Sequence, residues 1–202
     1  MSNANTSPTR FRLDNVRADW PNLFKGEQFN GEGKFRCGIT LLVPTDHPQF
    51  KQVQEAIEYA AAEKWKTKAA GVLKANRWPN PGKKDSICFR DGDLKSDSDG
   101  YAGTFYLSAN CQGGDTEADC AKPTVYTADR QKVTNANESP IYRGCYVNAM
   151  VEIYADSRFG DGVFCKLVAV QFRKDGDAFG SAPAKADDFE DVSEGADADD
   201  IA

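Results

Sequence analysis

A single histidine, His47, stands in the 202 residues. A lone imidazole next to Pro48 at a helix entry leaves little material for a nucleophile activated by a histidine base and none for a histidine-rich metal site. The six cysteines, Cys37, Cys88, Cys111, Cys120, Cys145 and Cys165, never form a C-x-x-C pair, and the closest two stand nine apart. A zinc finger is thereby excluded. No apolar run approaches the roughly 20 residues that cross a bilayer. The opening MSNANTSPTR carries no apolar segment of the kind a secretory signal needs. A cytoplasmic chain with reduced thiols is expected, with Cys37, Cys145 and Cys165 as small buried hydrophobes inside strands.

Basic residues are missing altogether from one segment. Residues 186–202, ADDFEDVSEGADADDIA, hold eight acids and no Lys or Arg. Taking those eight from the 31 acids of the chain leaves 23 against 25 bases in residues 1–185. The net charge of −6 therefore hides a slightly cationic body and a strongly anionic tail. So little apolar surface with so much like charge predicts a disordered tail, so the domains read as a folded 1–185 and a disordered 186–202.

The body reads as strands. Phe11 and Leu13 alternate with Arg10 and Arg12, and the phase breaks near Asn15. WPNLF (20–24) and the Gly-bearing stretch 26–33 read as a loop, with Trp20 and Phe24 as core plugs. Along 34–43, Phe35, Cys37, Ile39, Leu41 and Val43 are apolar while Lys34, Arg36, Gly38 and Thr40 are basic or small. A helix starts near Pro48 and runs to about Lys68, with Phe50, Val53, Ile57 and Ala61 on its packed stripe and His47 capping its start. Residues 71–100 read as irregular, apart from a short strand at 86–92. Strands follow at 101–111 (Phe105, Leu107 and Ala109 inward), 124–127, 141–155 (Cys145, Val147, Ala149, Val151 and Ile153 inward) and 162–174. The pattern fits a mainly β, five-stranded OB-type Greek-key barrel with one prominent helix after the second strand and long loops. A β-sandwich and a mixed α+β domain are the competing architectures.

Catalytic patterns fail one by one. GEGKFR (31–36) lacks the third glycine of a dinucleotide loop and opens a strand, not a helix. DLKSDSDGY (93–101), set with Gly100 as the turn glycine, places Lys95 first and Tyr106 twelfth where a calcium loop needs acids. Asp91 and Asp93 are a thin basis for a metal-dependent nuclease, which stays as a minor alternative. No catalytic residue, metal or cofactor is expected. Single-stranded nucleic acid, by contrast, needs cations for phosphates and rings for bases. The chain interleaves them: Lys34 and Arg36 around Phe35, Arg77-Trp78, Lys83-Lys84, Arg90 after Phe89, Tyr106, Tyr142-Arg143 and Tyr146. Lys34 and Arg36 share the outer face of one strand, and Tyr142 and Tyr146 that of another. The plainer reading, rings packed under loops and ordinary surface cations, competes at every position.

The order Trp20-Pro21-Asn22-Leu23-Phe24, then the strand ending LLVP, then a helix, then IYRGCYVNAMVEIYA and GVFCKLVAVQFRKDGDAFG resembles a family of tailed-phage single-stranded DNA-binding proteins. It covers roughly residues 10–180 and is most specific from Tyr142 to Gly180. The resemblance implies an OB fold, sequence-tolerant binding of single-stranded DNA in phage replication or recombination in the host cytoplasm, and an acidic C-terminal tail. That tail, through Asp187, Asp188, Phe189, Glu190, Asp191, Asp199, Asp200 and Ile201, is expected to compete for the groove and to recruit replication proteins such as DNA polymerase. Duplex DNA is a second possible ligand, and a phage assembly protein without nucleic-acid function is the alternative.

Overall fold

The computed structural model describes residues 7–180 apart from Phe159, and the acidic tail lies outside these residues. The chain forms β1 (Arg10–Phe29), β2 (Glu32–Pro44), α1 (Phe50–Trp65), α2 (Ala69–Ala75), β3 (Phe89–Asp91), β4 (Thr104–Asn110), β5 (Thr124–Tyr126), β6 (Lys132–Val133), β7 (Tyr146–Asp156) and β8 (Gly162–Lys174).

Five of these strands close on themselves. β1 pairs antiparallel with β2 and β7, β2 with β4, and β7 with β8. A parallel contact of β4 with β8, Ala109 against Cys165 and Asn110 against Lys166, shuts the ring. This is the five-stranded OB barrel expected from the strand pattern. β3 extends the sheet beyond β4, and β5 and β6 extend it beyond β8.

The interior follows the period-2 pattern. Cys37, Ile39, Leu41 and Val43 of β2 face Leu107 and Ala109 of β4 and Val147, Ala149, Val151 and Ile153 of β7 in one buried cluster. The phase break in β1 is a bulge: Asn15 takes φ 54°, and the pairing slips between Leu13 and Val16 so that both stay inside. All six thiols are free and buried, as small hydrophobes.

The stretch 20–33 corrects the sequence reading. It is not a loop: β1 continues to Phe29 and returns through a two-residue turn at Asn30 and Gly31, both at positive φ. Asn-Gly is the pair such a tight hairpin favours. Pro21 and Gly26 sit where the β1–β2 register shifts, so they are absorbed without ending the strand. Trp20 is corrected as well, being 61% exposed, whereas Leu23 enters the core.

The helix starts two residues after Pro48. Its α-helical run stops at Trp65, short of Lys68, because Lys66 turns to φ 50°. His47 ties this start to β1. Its Nδ1 accepts from the Gln49 N–H at 3.1 Å, and its Nε2 donates to the Asp14 carbonyl at 2.8 Å. Phe50 packs edge-on to Phe105 and tilted against Phe89 at centroid distances of 5.1 and 5.4 Å, joining α1 to β4 and β3.

A second, smaller core lies outside the barrel. Leu42 of β2 and Tyr106 of β4 are covered by Tyr101 and Phe179. Phe179 arrives on a strap, residues 175–180, held by the Tyr142 hydroxyl on Asp175 and Gly176 and by the Phe179 N–H on the Arg143 carbonyl.

Candidate nucleic-acid interface

The outer face of β2 and β4 carries small polar residues where the inner face carries the core. Gly38, Thr40, Ser108 and Asn110 form a shallow floor. Gly38 has to be glycine because an added Cβ would lie 2.8 Å from the Ala109 carbonyl and against the Asn110 side chain. Two hollows of about 690 and 670 Å³ open on this floor. They share Lys34, Arg36, Ser108 and Asn110 and so form one continuous trough.

Five cations outnumber the three carboxylates, Glu27, Glu32 and Glu152, that line it. Lys34 and Arg36 come from β2, Arg90 from β3, Lys166 from β8 and Arg158 from the β7–β8 turn. Lys34 is 3.4 Å from Asp115, an exposed and weak pair, while Arg36 and Lys166 make no ion pair among the described residues. Arg90 donates from Nη2 to the Asp85 carbonyl, but its buried Nε has no partner. A guanidinium N–H left unpaired in this way is costly unless an anion completes it. Arg158 is paired with Asp156, which holds that carboxyl below the usual range.

Rings stand at both ends. Trp20 lines one hollow, and the Arg143 guanidinium lies 4.0 Å from its ring centroid. Tyr154 and Phe164 line the other, with centroids 5.8 Å apart. Partial burial raises the Tyr154 phenol pKa, so its hydroxyl stays neutral.

The residues expected from the sequence divide into groups. Lys34, Arg36 and Arg90 meet in the trough. Arg77 binds Asp85 at 2.7 Å and thereby shapes the loop that carries the exposed Lys83 and Lys84. Trp78 packs against the core and donates its indole N–H to Glu58 at 3.0 Å. Tyr106 is only 3% exposed, beneath Tyr101, Phe179 and the Lys95 ammonium, which leaves no ring face for a base. Burial also holds the Lys95 pKa below the ordinary lysine range.

Tyr142 and Tyr146 stand at the other end of the outer surface, while Arg143 reaches the Trp20 ring at the trough's rim. Tyr146 lies level with Arg17 and, across β1, with Leu42. Leu42 is six residues from Arg36 along β2, roughly 20 Å at about 3.3 Å per residue. Tyr146 is flanked by Arg17 and by Lys174, at 5.7 and 4.4 Å from its centroid. Tyr142 serves the strap. Arg143 donates from Nε to Asp19 at 2.6 Å, and Asp19 is wholly buried and also accepts from the Tyr101 hydroxyl at 2.9 Å. Asp91 and Asp93, the residues of the nuclease alternative, accept from the backbone N–H groups of Asp93 and Gly103. No group of metal-ligating side chains forms among the described residues.

Five trough residues escape the sequence reading. Lys166 and Phe164 alternate with buried Cys165 and Leu167, and Tyr154 shares the outer phase of its strand, so these carry a period-2 signal. Arg158 and Trp20 carry none.

A closed OB barrel with a cationic, ring-ended trough across β2 and β4 defines a nucleic-acid-binding class of protein. Residues 9–202 match the family described as Enterobacter phage Enc34, ssDNA-binding protein, and the chain belongs to that family. It is 36% identical over 186 residues to the putative protein p50 of Acyrthosiphon pisum secondary endosymbiont phage 1, covering 91% of this chain and 94% of that one. The single-stranded DNA-binding protein from bacteriophage Enc34, in complex with ssDNA, is similar at 26% identity and TM-score 0.65, over 85% of this chain and 90% of that one. Gp2.5, a single-stranded DNA-binding protein encoded by bacteriophage T7, shares the fold at 19% identity and TM-score 0.55, over 90% of this chain and 97% of that one. No helix among the described residues is long and apolar enough to cross a membrane.

Proposed function

We propose that this protein binds single-stranded DNA, with little sequence preference and without chemistry, during phage replication or recombination in the host cytoplasm. The observation that carries the reading is the single trough that holds Lys34, Arg36, Arg90 and Lys166 between Trp20 at one end and Tyr154 with Phe164 at the other. It lies between the β1–β2 hairpin and the β7–β8 turn, the face on which OB barrels take oligonucleotides. Phosphates sit on the cations and complete the unpaired Arg90 Nε, while bases stack on the terminal rings. Lys83 and Lys84 add long-range attraction from the loop above. Tyr142 and Tyr146 serve the strap rather than the stacking surface, and Arg143 links the Asp19 network to the Trp20 ring. The acidic tail competes with DNA for the trough, and once displaced it is free for replication proteins such as a DNA polymerase.

Fluorescence polarisation with labelled dT oligomers and duplexes, at two salt concentrations and with magnesium present, tests this. The expected result is preferential binding of dT, weakening with salt at a log–log slope of about −0.7 per phosphate contact, with the oligomer recovered intact. Absence of salt-dependent binding overturns the reading in favour of an assembly role, and magnesium-dependent cleavage overturns it in favour of a nuclease.

A further inference from the structure

A second concavity lies on the barrel face formed by β1, β7, β8 and β5, and it shares no lining residue with the trough. It measures about 380 Å³. Met150 and Ala169, paired across β7 and β8, make an apolar floor, and Tyr126 makes one wall. Arg12 and Arg130 stand at the rims. Arg12 shares its charge with Asp14, while Arg130 makes no ion pair among the described residues. An apolar floor between two guanidinium groups fits an aromatic side chain flanked by carboxylates.

The chain carries one such segment. Within 181–202 the sole aromatic residue is Phe189, and it stands in Asp187-Asp188-Phe189-Glu190-Asp191. Its reach is sufficient. The strap ends with the Phe179 ring against Arg17, 4.3 Å from its guanidinium carbon, and Arg17 is paired with Tyr146. From Tyr146 the outer face of β7 passes Asn148 to Met150, roughly 13 Å at about 3.3 Å per residue. The stretch from Gly180 to Phe189 spans up to about 30 Å when extended. Tethering over so short a linker gives an effective concentration of order millimolar, so even a weak contact is occupied.

We propose that this cleft is the docking site for the chain's own segment 187–191, with Phe189 on the Met150–Ala169 floor and its flanking carboxylates toward Arg12 and Arg130. The inference goes beyond the DNA-binding reading. It gives the acidic segment a second resting place beside the trough, since Met150 of the cleft and Glu152 of the trough stand two apart on the outer face of β7.

The test compares the full-length chain with full-length Phe189→Ala by heteronuclear NMR. The expected result is a shift of the Met150 and Ala169 methyl signals and of the Asn148 and Gln171 amides. Arg130→Glu, at an exposed position, should displace the same methyl signals in the same direction. Unmoved Met150 and Ala169 signals overturn the proposal, as do changes confined to the trough. If dilution of the wild-type chain reproduces the Phe189→Ala spectrum, the occupant is the segment of a second copy and docking within one chain is overturned. The readout at Met150 and Ala169 is independent of whether oligonucleotide binds.

Discussion

At Trp20 the backbone takes φ 47°, and that single dihedral turns an indole out of the core and onto the rim of the trough. Its neighbour Asp19 is turned fully inward, where Arg143 and Tyr101 hydrogen-bond it. The two residues divide binding from stability, and substitution separates the roles. Trp20→Ala should lower dT affinity by the worth of one stacked base, about 1–3 kcal/mol. Its unfolding free energy should change by less than about 1 kcal/mol, the scale of one exposed cation–π contact. Arg143→Ala leaves the buried Asp19 carboxylate with only the Tyr101 hydroxyl and the Trp20 N–H, and because the guanidinium is itself 37% exposed the cost falls below the about 3–5 kcal/mol of a fully buried pair. A Trp20→Ala chain that binds as tightly as wild type would remove the ring from the interface. An Arg143→Ala chain as stable as wild type would show that Asp19 finds another partner.

Among the elements, β2, β4, β8 and the segments that cover them share a response to alkali. Burial pushes the thiols of Cys37 in β2 and Cys88 beside β3 up to about 12, and that of Cys165 in β8 well above its ordinary value. The Tyr101 phenol is raised in the same way, with Asp19 adding to the effect. In each case the folded state keeps a proton that the unfolded chain releases. The stabilisation is fully present below the unfolded pKa, about 9 for a thiol and 10 for the phenol, and is lost as pH rises through the folded values. Lys95 acts with the opposite sign, since its depressed pKa makes burial of the ammonium less costly as pH climbs toward 10.5. It is one group against eight, since Cys111, Cys145, Tyr142 and Tyr154 are raised by burial as well. The denaturant midpoint should therefore be level to about pH 8.5 and fall above 9, and Cys88→Ala should reduce the slope; each group contributes up to about 1.4 kcal/mol per pH unit. A midpoint that rises through this range would refute the assignment.

The same elements set the limit of what a sequence reader can see. The inward sets of β2, β4 and β7 are legible because one-sided burial preserves a period of two. The hairpin at 20–33 is hidden because Pro21, Gly26 and Gly31 imitate a loop, although Asn30-Gly31 is itself a hairpin signal. The trough is legible only in part. Strand phase tells which face a ring occupies but not which side of a coiled barrel that face has reached. Tyr146 and Tyr154 share a phase on β7 yet stand eight residues apart, roughly 26 Å at about 3.3 Å per residue. Tyr146 therefore belongs with the strap and Tyr154 with the trough.

For the molecule as a whole the governing quantity is the division of charge between body and tail. The 185 residues ahead of the tail hold 25 bases and 23 acids, while the tail adds eight acids and no base. Its point of departure is fixed: the Gly180 N–H donates to Asp99 at 2.7 Å, beside the small outer core that closes one end of the trough surface. In the competition proposed above, seventeen residues tethered there face the trough at an effective concentration of order millimolar, and DNA displaces them on binding. Deleting residues 186–202 should then tighten binding of dT and bring the weaker duplex binding into measurable range, because the competitor lowers both affinities by the same factor. The gain should shrink as salt rises, since the Debye length is only about 10 Å at 0.1 M and the competition is between exposed charges. Polarisation titrations of the full and shortened chains at several salt concentrations measure both effects. A shortened chain that binds more weakly would mean that the tail helps to hold DNA. A gain that persists unchanged in high salt would mean that the tail blocks the trough by its bulk rather than by its charge.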